Sequence, residues 1–129
     1  PLVVALGGAG IAVGRPLVRR RVREGDAAIT RVLVGARTQK EIAMRDDLLD
    51  WSRAGVGVVA CLSQDDGSSQ DVAYAHGYVQ DVLRAQAATV GMPRDTHIFA
   101  VGASSMIHAL RELAPALGMT PDQVVTNHQ

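Results

Sequence analysis

The sequence is poor in residue types that several functional classes require. Cys61 is the only cysteine, so the chain by itself can form neither an internal disulfide nor an iron–sulfur cluster held by cysteines. Lys40 is the only lysine, and it follows no glycine-rich loop, which excludes a Walker-type phosphate-binding loop. Tyr74 and Tyr78 have no lysine four positions later, which argues against a short-chain dehydrogenase.

The chain also lacks an excess of charge of either sign. Its 13 basic and 13 acidic residues balance, so nothing in the charge predicts a nucleic-acid or anionic-membrane partner. No apolar run is long enough to span a membrane and no signal peptide is recognisable, which predicts a cytoplasmic protein. The four histidines lack metal-ligand spacing and Cys61 lies within an expected strand, so no metal site is expected.

The stretch 2–14 combines an apolar run with closely spaced glycines. Leu2–Leu6 is apolar, short and rich in branched side chains, which is typical of a buried strand. Gly7, Gly8 and Gly10 follow and allow a sharp turn with close approach of a ligand. The helical segment after them would place free N–H groups at the turn, which suits a phosphate. The spacing departs from the G-x-G-x-x-G fingerprint because the next glycine is Gly14, so a turn that binds nothing stays possible.

Apolar runs and helical segments alternate along the rest of the chain. Further strands are predicted at Arg31–Ala36, Val56–Leu62, Thr96–Val101 and Gln123–Thr126. Helices are predicted at Val13–Glu24, Gln39–Ser52, Val79–Ala88 and from about Met106 to Leu117, with Pro16 in or near the first turn of the first and Pro115 bending or shortening the last. This pattern predicts one domain, 1–129, of α/β class: a doubly wound, five-stranded parallel sheet with helices on both faces, Rossmann-like.

Two small-residue turns are expected to face each other. In doubly wound sheets a ligand binds beyond the carboxyl ends of the strands, where the strand order reverses. If the first strand and Thr96–Val101 flank that point, Gly7–Gly10 and Gly102–Ser105 lie across a crevice from each other. Ser104 and Ser105 then fit caps or phosphate contacts better than nucleophiles. The polar stretch Ser63–His76 is the one long loop expected.

Several short segments occur in an order that one known family shares. They are Gly7–Ile11, Gly35–Thr38, Asp47–Trp51, Ser63, Gly77–Val79, and Gly102 with Met106. Together they resemble the pyridine-nucleotide-binding domain of the ferredoxin–NADP reductase superfamily, over essentially the whole chain.

The resemblance implies an NADH- or NADPH-binding domain of a flavin-dependent oxidoreductase. In that family, hydride passes from nicotinamide C4 to N5 of an FAD or FMN, which a separate barrel domain holds. The flavin domain is not in this sequence, and Pro1 stands directly ahead of the first strand, so we expect a domain cut from a longer reductase or a subunit of one. Alone it would bind nucleotide without completing the reaction. The implied cofactor contacts are Gly8, Ala9, Gly10, Ile11, Arg37, Ser63, Gln64, Gly102, Ala103, Ser104 and Met106; no catalytic residue is assigned.

Departures from the family pattern bear on activity and on cofactor choice. Val13 and Ala103 replace family prolines, and Val101 replaces the family cysteine near the nicotinamide, so it offers no thiol there. This favours the alternative of a non-catalytic nucleotide-binding or interaction module, and an α/β domain without nucleotide also stays open. Acidic residues after Ser63, in Gln64-Asp65-Asp66, would repel a 2′-phosphate and favour NADH, although Arg37 could turn towards that end.

Overall fold

A computed structural model describes residues 1–8, 10–64 and 71–127. Its strands are β1 (Leu2–Gly7), β2 (Thr30–Ala36), β3 (Gly57–Leu62), β4 (Tyr74–His76), β5 (His97–Val101) and β6 (Val124–Thr126). Its α-helices are α1 (Gly10–Arg23), α2 (Arg45–Arg53), α3 (Val79–Val90) and α4 (Ser104–Leu113). Single 3₁₀ turns occupy Ala27–Ile29, Gln39–Glu41, Ala114–Leu117 and Pro121–Gln123.

The described strands form one parallel sheet whose order reverses next to β1. The order is β4-β3-β2-β1-β5-β6, and every neighbouring pair is parallel. After β1 the chain adds β2, β3 and β4 on one side, then crosses to place β5 on the other. The doubly wound parallel sheet is therefore confirmed, and so is the expected position of the reversal point between the first strand and the strand at residues 97–101.

Helices cover both faces of the sheet because the central strand is apolar on both faces. Val3 and Ala5 of β1 belong to one buried cluster, which α3 and α4 share. Val4 and Leu6 belong to a second cluster, which α1 and α2 share. All four side chains are at most 2% exposed, which explains why β1 is a continuous apolar run without polar alternation.

The sheet has one strand more than the five expected. Tyr74–His76, predicted as part of a long loop, forms β4 and pairs with Ala60–Leu62 of β3. The N–H of Ala60 also donates to the carbonyl of Ala73 at 2.8 Å. A strand of three residues is too short to show a periodic pattern, so its pairing with β3 decides it. The part of the predicted loop at 65–70 lies outside the described residues.

The predicted helix at Gln39–Ser52 was wrong in its first six residues. Gln39–Glu41 is a 3₁₀ turn, Met44 takes a left-handed conformation with φ of 53°, and α2 begins only at Arg45. Gln39 is 1% exposed and its amide donates to the carbonyl of Val72 at 3.5 Å. Burial of this polar side chain fixes the turn, and no local propensity reveals it.

The prolines in the two end helices take different places. Helix α1 begins at Gly10, so Pro16 lies inside it, in the second turn, and not in or near its first turn as expected. Pro115 follows the end of α4 at Leu113 and belongs to a 3₁₀ turn, which Gly118 closes with φ of 81°. The expectation that Pro115 shortens this helix is confirmed.

No helix in the described part of the chain is long and apolar enough to cross a membrane.

Candidate functional site

The two small-residue turns at the reversal point are in direct contact. A Cβ placed on Gly102 would lie 3.3 Å from both Cα and N of Gly7, and 3.0 Å from Cε of Met106. A larger residue in place of Gly102 would push the ends of β1 and β5 apart. The expectation that the turns after these two strands face each other is confirmed.

The glycines in and just after the first turn have three different roles. Gly8 has φ of +56° and open space around it, so it is needed for the turn itself. A Cβ on Gly10 would lie 2.6 Å from the carbonyl oxygen of Val101, so glycine here lets α1 begin against β5. A Cβ on Gly14 would lie 2.8 Å from Cδ2 of Leu6, so this glycine lets α1 pack closely on β1.

A crevice of about 760 Å³ opens at the carboxyl ends of the central strands. Its wall comes from the ends of β1, β2 and β3 and from the starts of α3 and α4. The lining residues are Gly7, Gly8, Gly35, Ala36, Arg37, Glu41, Cys61, Ser63, Tyr78, Val79, Gln80, Ala103, Ser105 and Met106. A volume in this range holds a small organic ligand or cofactor.

Helix starts give the crevice a positive local field. Helices α1 and α4 begin just beyond the two contacting turns, and neither has an acidic residue in its first turn. Free N–H groups and the positive end of the helix dipole therefore lie next to Gly8 and Ala103, with no carboxylate in the first turn of either helix. This arrangement suits the phosphates of a nucleotide.

The residues proposed as cofactor contacts fall into two groups. Five line the crevice: Gly8, Arg37, Ser63, Ala103 and Met106. Gly102 lies against Gly7 and Met106, and Gln64 and Ser104 are exposed outside the lining. Gly10 is buried and Ile11 is 1% exposed in the core, so only their backbone could meet a ligand, and Ala9 lies outside the described residues.

Sequence reasoning omitted nine lining residues from that list. They are Gly7, Gly35, Ala36, Glu41, Cys61, Tyr78, Val79, Gln80 and Ser105. The rule that ligands bind beyond the carboxyl ends of parallel strands would have pointed to Ala36 and Cys61. Glu41 carried no such signal because its segment was predicted as a regular helix.

Arg37 and Glu41 form a two-contact ion pair at the mouth of the crevice. Arg37 Nη2 donates to Glu41 Oε1 at 2.6 Å, and Arg37 Nε donates to Oε2 at 3.1 Å. This bonding lowers the pKa of Glu41 below its usual value and raises that of Arg37. Both side chains stay accessible, with 68% and 40% of their surface exposed.

The start of α3 forms another part of the crevice wall. A Cβ on Gly35 would lie 3.2 Å from Cγ2 of Val79, so glycine at the end of β2 lets this helix approach closely. The N–H of Tyr78 donates to Oδ2 of Asp81 at 3.1 Å, which fixes the first turn. Tyr78 is 63% exposed, so its ring is available to a ligand.

Cys61 contributes an inert thiol. Its side chain is 1% exposed, and burial raises the pKa of the thiol to about 12. The interpretation of Cys61 as a core cysteine is confirmed, although it also touches the floor of the crevice. Among the residues that the structure describes, no three His, Cys, Asp or Glu side chains gather as metal ligands would.

Comparison with known proteins identifies the domain. The family described as oxidoreductase NAD-binding domain matches residues 4–112. The chain belongs to this family. The resemblance to the nucleotide-binding domain of ferredoxin–NADP reductases is thereby confirmed. The crevice lies at the reversal point of the sheet, where open α/β sheets in general bind ligands.

Two curated relatives resemble this NAD-binding domain along most of its length. The reductase component of propane 2-monooxygenase from Rhodococcus jostii is 30% identical over 128 residues, which is 96% of this chain and 34% of that protein. Ferredoxin–NADP reductase B from Sorangium cellulosum is 31% identical over 117 residues, or 88% of this chain and 48% of the relative. The chain thus spans between a third and a half of these relatives.

The fold is also that of solved flavoproteins. A flavohemoglobin from Malassezia yamatoensis, whose crystal structure holds FAD and heme, aligns over 98% of this chain and 31% of its own, with a TM-score of 0.76 and 16% identity. At this identity the likeness supports the fold alone.

The departures from the family pattern occupy different environments in this NAD-binding domain. Val101 is 7% exposed, and its carbonyl oxygen faces Gly10. Ala103 lines the crevice, and Val13 is 46% exposed on α1. The site therefore has no thiol at residue 101, but the backbone turns are intact.

Proposed function

We propose that this domain binds NADH and presents its nicotinamide to an FAD or FMN held by another domain or subunit. The observation that carries the proposal is the crevice, which runs without interruption from the two contacting turns to Arg37, Glu41 and Ser63. A dinucleotide needs contacts at several such places, and the crevice offers them within about 760 Å³. The family match makes a pyridine nucleotide the expected ligand.

The chemistry of the lining determines which part of the nucleotide fits where. The pyrophosphate suits the turns at Gly8 and Ala103, where helix starts offer N–H groups. The adenosine then extends towards the ends of β2 and β3, where Tyr78 offers an exposed ring and Ser63 a hydroxyl. The nicotinamide would then lie against the surface of small and apolar residues near Met106.

The residues of the crevice fit a binding and positioning role. When bound, the reduced nicotinamide supplies the hydride and the flavin accepts it. Among the described residues that line the crevice there is no His, Asp or Lys, and the Cys61 thiol stays protonated near neutral pH. Hydride transfer between these two cofactors needs no protein acid or base, so the wall has to orient the nicotinamide and exclude water.

The preference for NADH is supported by the Arg37–Glu41 pair. The pair carries no net charge, and its bonded guanidinium is not a free cation for a 2′-phosphate. The charges of Asp65 and Asp66 in the sequence also predict a preference for NADH. These two residues lie outside the described part of the chain.

Calorimetric titration with NADH, NADPH and ADP-ribose tests the proposal. The variant of choice is Gly8→Val, because Gly10→Val would also push α1 away from β5. The matched control is Gly25→Val, since Gly25 also has positive φ and no atom within 4 Å but lies in the turn after α1. We expect NADH to bind the native chain most tightly and affinity to fall only in Gly8→Val.

Two results would contradict parts of this function. If none of the three ligands binds the native chain, it is not a nucleotide-binding domain. If NADH binds but does not reduce the flavin of the complete protein, the domain is a non-catalytic nucleotide-binding module, which Val101 in place of the family cysteine favours.

A further inference from the structure

The crevice contains, side by side, the two residue types that read the ribose 2′ position in dinucleotide-binding folds. In such folds an acidic residue near the second strand accepts a hydrogen bond from the 2′-hydroxyl of NAD, or an arginine there accommodates the 2′-phosphate of NADP. Arg37 directly follows β2, and Glu41 follows four residues later. Here the Arg37 guanidinium donates two hydrogen bonds to the Glu41 carboxylate.

The two partners are not equally free to move. Glu41 ends the turn Gln39–Glu41, which is anchored because Gln39 is 1% exposed. The guanidinium of Arg45 donates to both the backbone carbonyl and the Oε1 of Gln39, and the Gln39 amide donates to Val72. The Arg37 side chain is 68% exposed, and Glu41 accepts two hydrogen bonds from its guanidinium. Glu41 therefore holds Arg37, and without Glu41 the guanidinium would be free to turn into the crevice.

We infer that Glu41 is the residue that sets nucleotide selectivity, because it occupies the guanidinium that would otherwise bind a 2′-phosphate. This inference rests on the proposed function. Loss of the Glu41 carboxylate should therefore abolish discrimination against NADPH, and the additional loss of Arg37 should restore it. A released guanidinium can bind a phosphate through two charge-assisted hydrogen bonds.

The test is a double-mutant cycle on the complete protein that contains this chain. Glu41→Gln keeps the shape of the side chain and removes its charge; Arg37→Gln and the double variant complete the cycle. The probes are NADH and NADPH, together with 5′-AMP and adenosine 2′,5′-bisphosphate, which differ only in the 2′-phosphate. The readout is the ratio of the two dissociation constants within each pair.

The matched control is Glu24→Gln. Glu24 forms an exposed pair with Arg20, four residues earlier on α1, and its loss changes the net charge by the same amount. We expect Glu41→Gln to move both ratios towards the 2′-phosphorylated ligand by about tenfold or more, the scale of one or two charge-assisted hydrogen bonds. The double variant and Glu24→Gln should stay within about threefold of the native ratio.

The possible failures are distinguishable. If the native protein binds neither nucleotide, the proposed function fails and this inference falls with it. If NADH binds but Glu41→Gln leaves the ratios unchanged, or shifts them no more than Glu24→Gln does, the inference is wrong while the function stands. If the double variant keeps the shifted ratio, Arg37 is not the group released, and the inference is also wrong.

Discussion

Replacing Gly10 with alanine has two opposing effects on the free energy of unfolding. Gly10 is the first residue of α1, and alanine in a helix is favoured over glycine by about 1 kcal/mol. The new Cβ, however, would lie 2.6 Å from the carbonyl oxygen and 3.2 Å from the carbonyl carbon of Val101. Both atoms belong to the backbone of β5, so no change of side-chain rotamer can relieve the contact.

The start of α1 must therefore move away from the sheet in Gly10→Ala. Overpacking of this kind costs about 1–3 kcal/mol, and the obstacle here is backbone, so we take the upper half of that range. After subtraction of the gain in helix propensity, we expect the free energy of unfolding to fall by about 1–2 kcal/mol. Urea denaturation followed by far-ultraviolet circular dichroism measures this change.

The control for this prediction is Gly57→Ala. A Cβ on Gly57 meets nothing closer than Cγ of Arg31 at 3.7 Å, which is ordinary contact, so we expect its stability to equal or slightly exceed that of the native chain. If Gly10→Ala proves as stable as the native chain, the close approach of α1 to β5 is refuted.

Three further predictions concern the crevice. Because burial raises the pKa of Cys61 to about 12, iodoacetamide should label it in the urea-unfolded chain but hardly at all in the native chain at pH 8; native labelling at the unfolded rate would contradict its burial. The same shift means that the unfolded thiol loses its proton first, so the stability due to Cys61 is fully present below its unfolded pKa and is lost as pH rises towards 12. The Glu41 carboxyl should titrate by NMR below the usual glutamate pKa and return to it in Arg37→Gln; its small contribution to stability is present above the unfolded pKa and is lost as pH falls through the folded one. Tyr78→Ala should weaken NADH binding by about threefold to tenfold through loss of stacking, yet hardly change urea stability because the ring is 63% exposed; unchanged affinity would mean that the nucleotide does not reach this wall.

Much of the fold could be predicted because its signals are local. The apolar run of β1 and the glycines after it are adjacent in sequence, and the other predicted strands end within one residue of where the structure ends them. The order of the short segments also identified the family. By contrast, β4 has three residues and Gln39 is buried by contacts with Val72 and Arg45, so neither left a periodic pattern to read.

The site, like the fold, has one part that the sequence predicts and another that depends on packing. The sequence by itself determined that glycine turns follow two parallel strands, which is enough to expect a nucleotide crevice at their carboxyl ends. Only the tertiary structure decided that Gly10 faces the Val101 carbonyl and that Glu41 holds Arg37 at the crevice mouth. The first contact joins residues about ninety positions apart, and the second depends on a turn fixed by a buried glutamine. Contacts of both kinds come from how elements pack, and local sequence patterns do not encode packing.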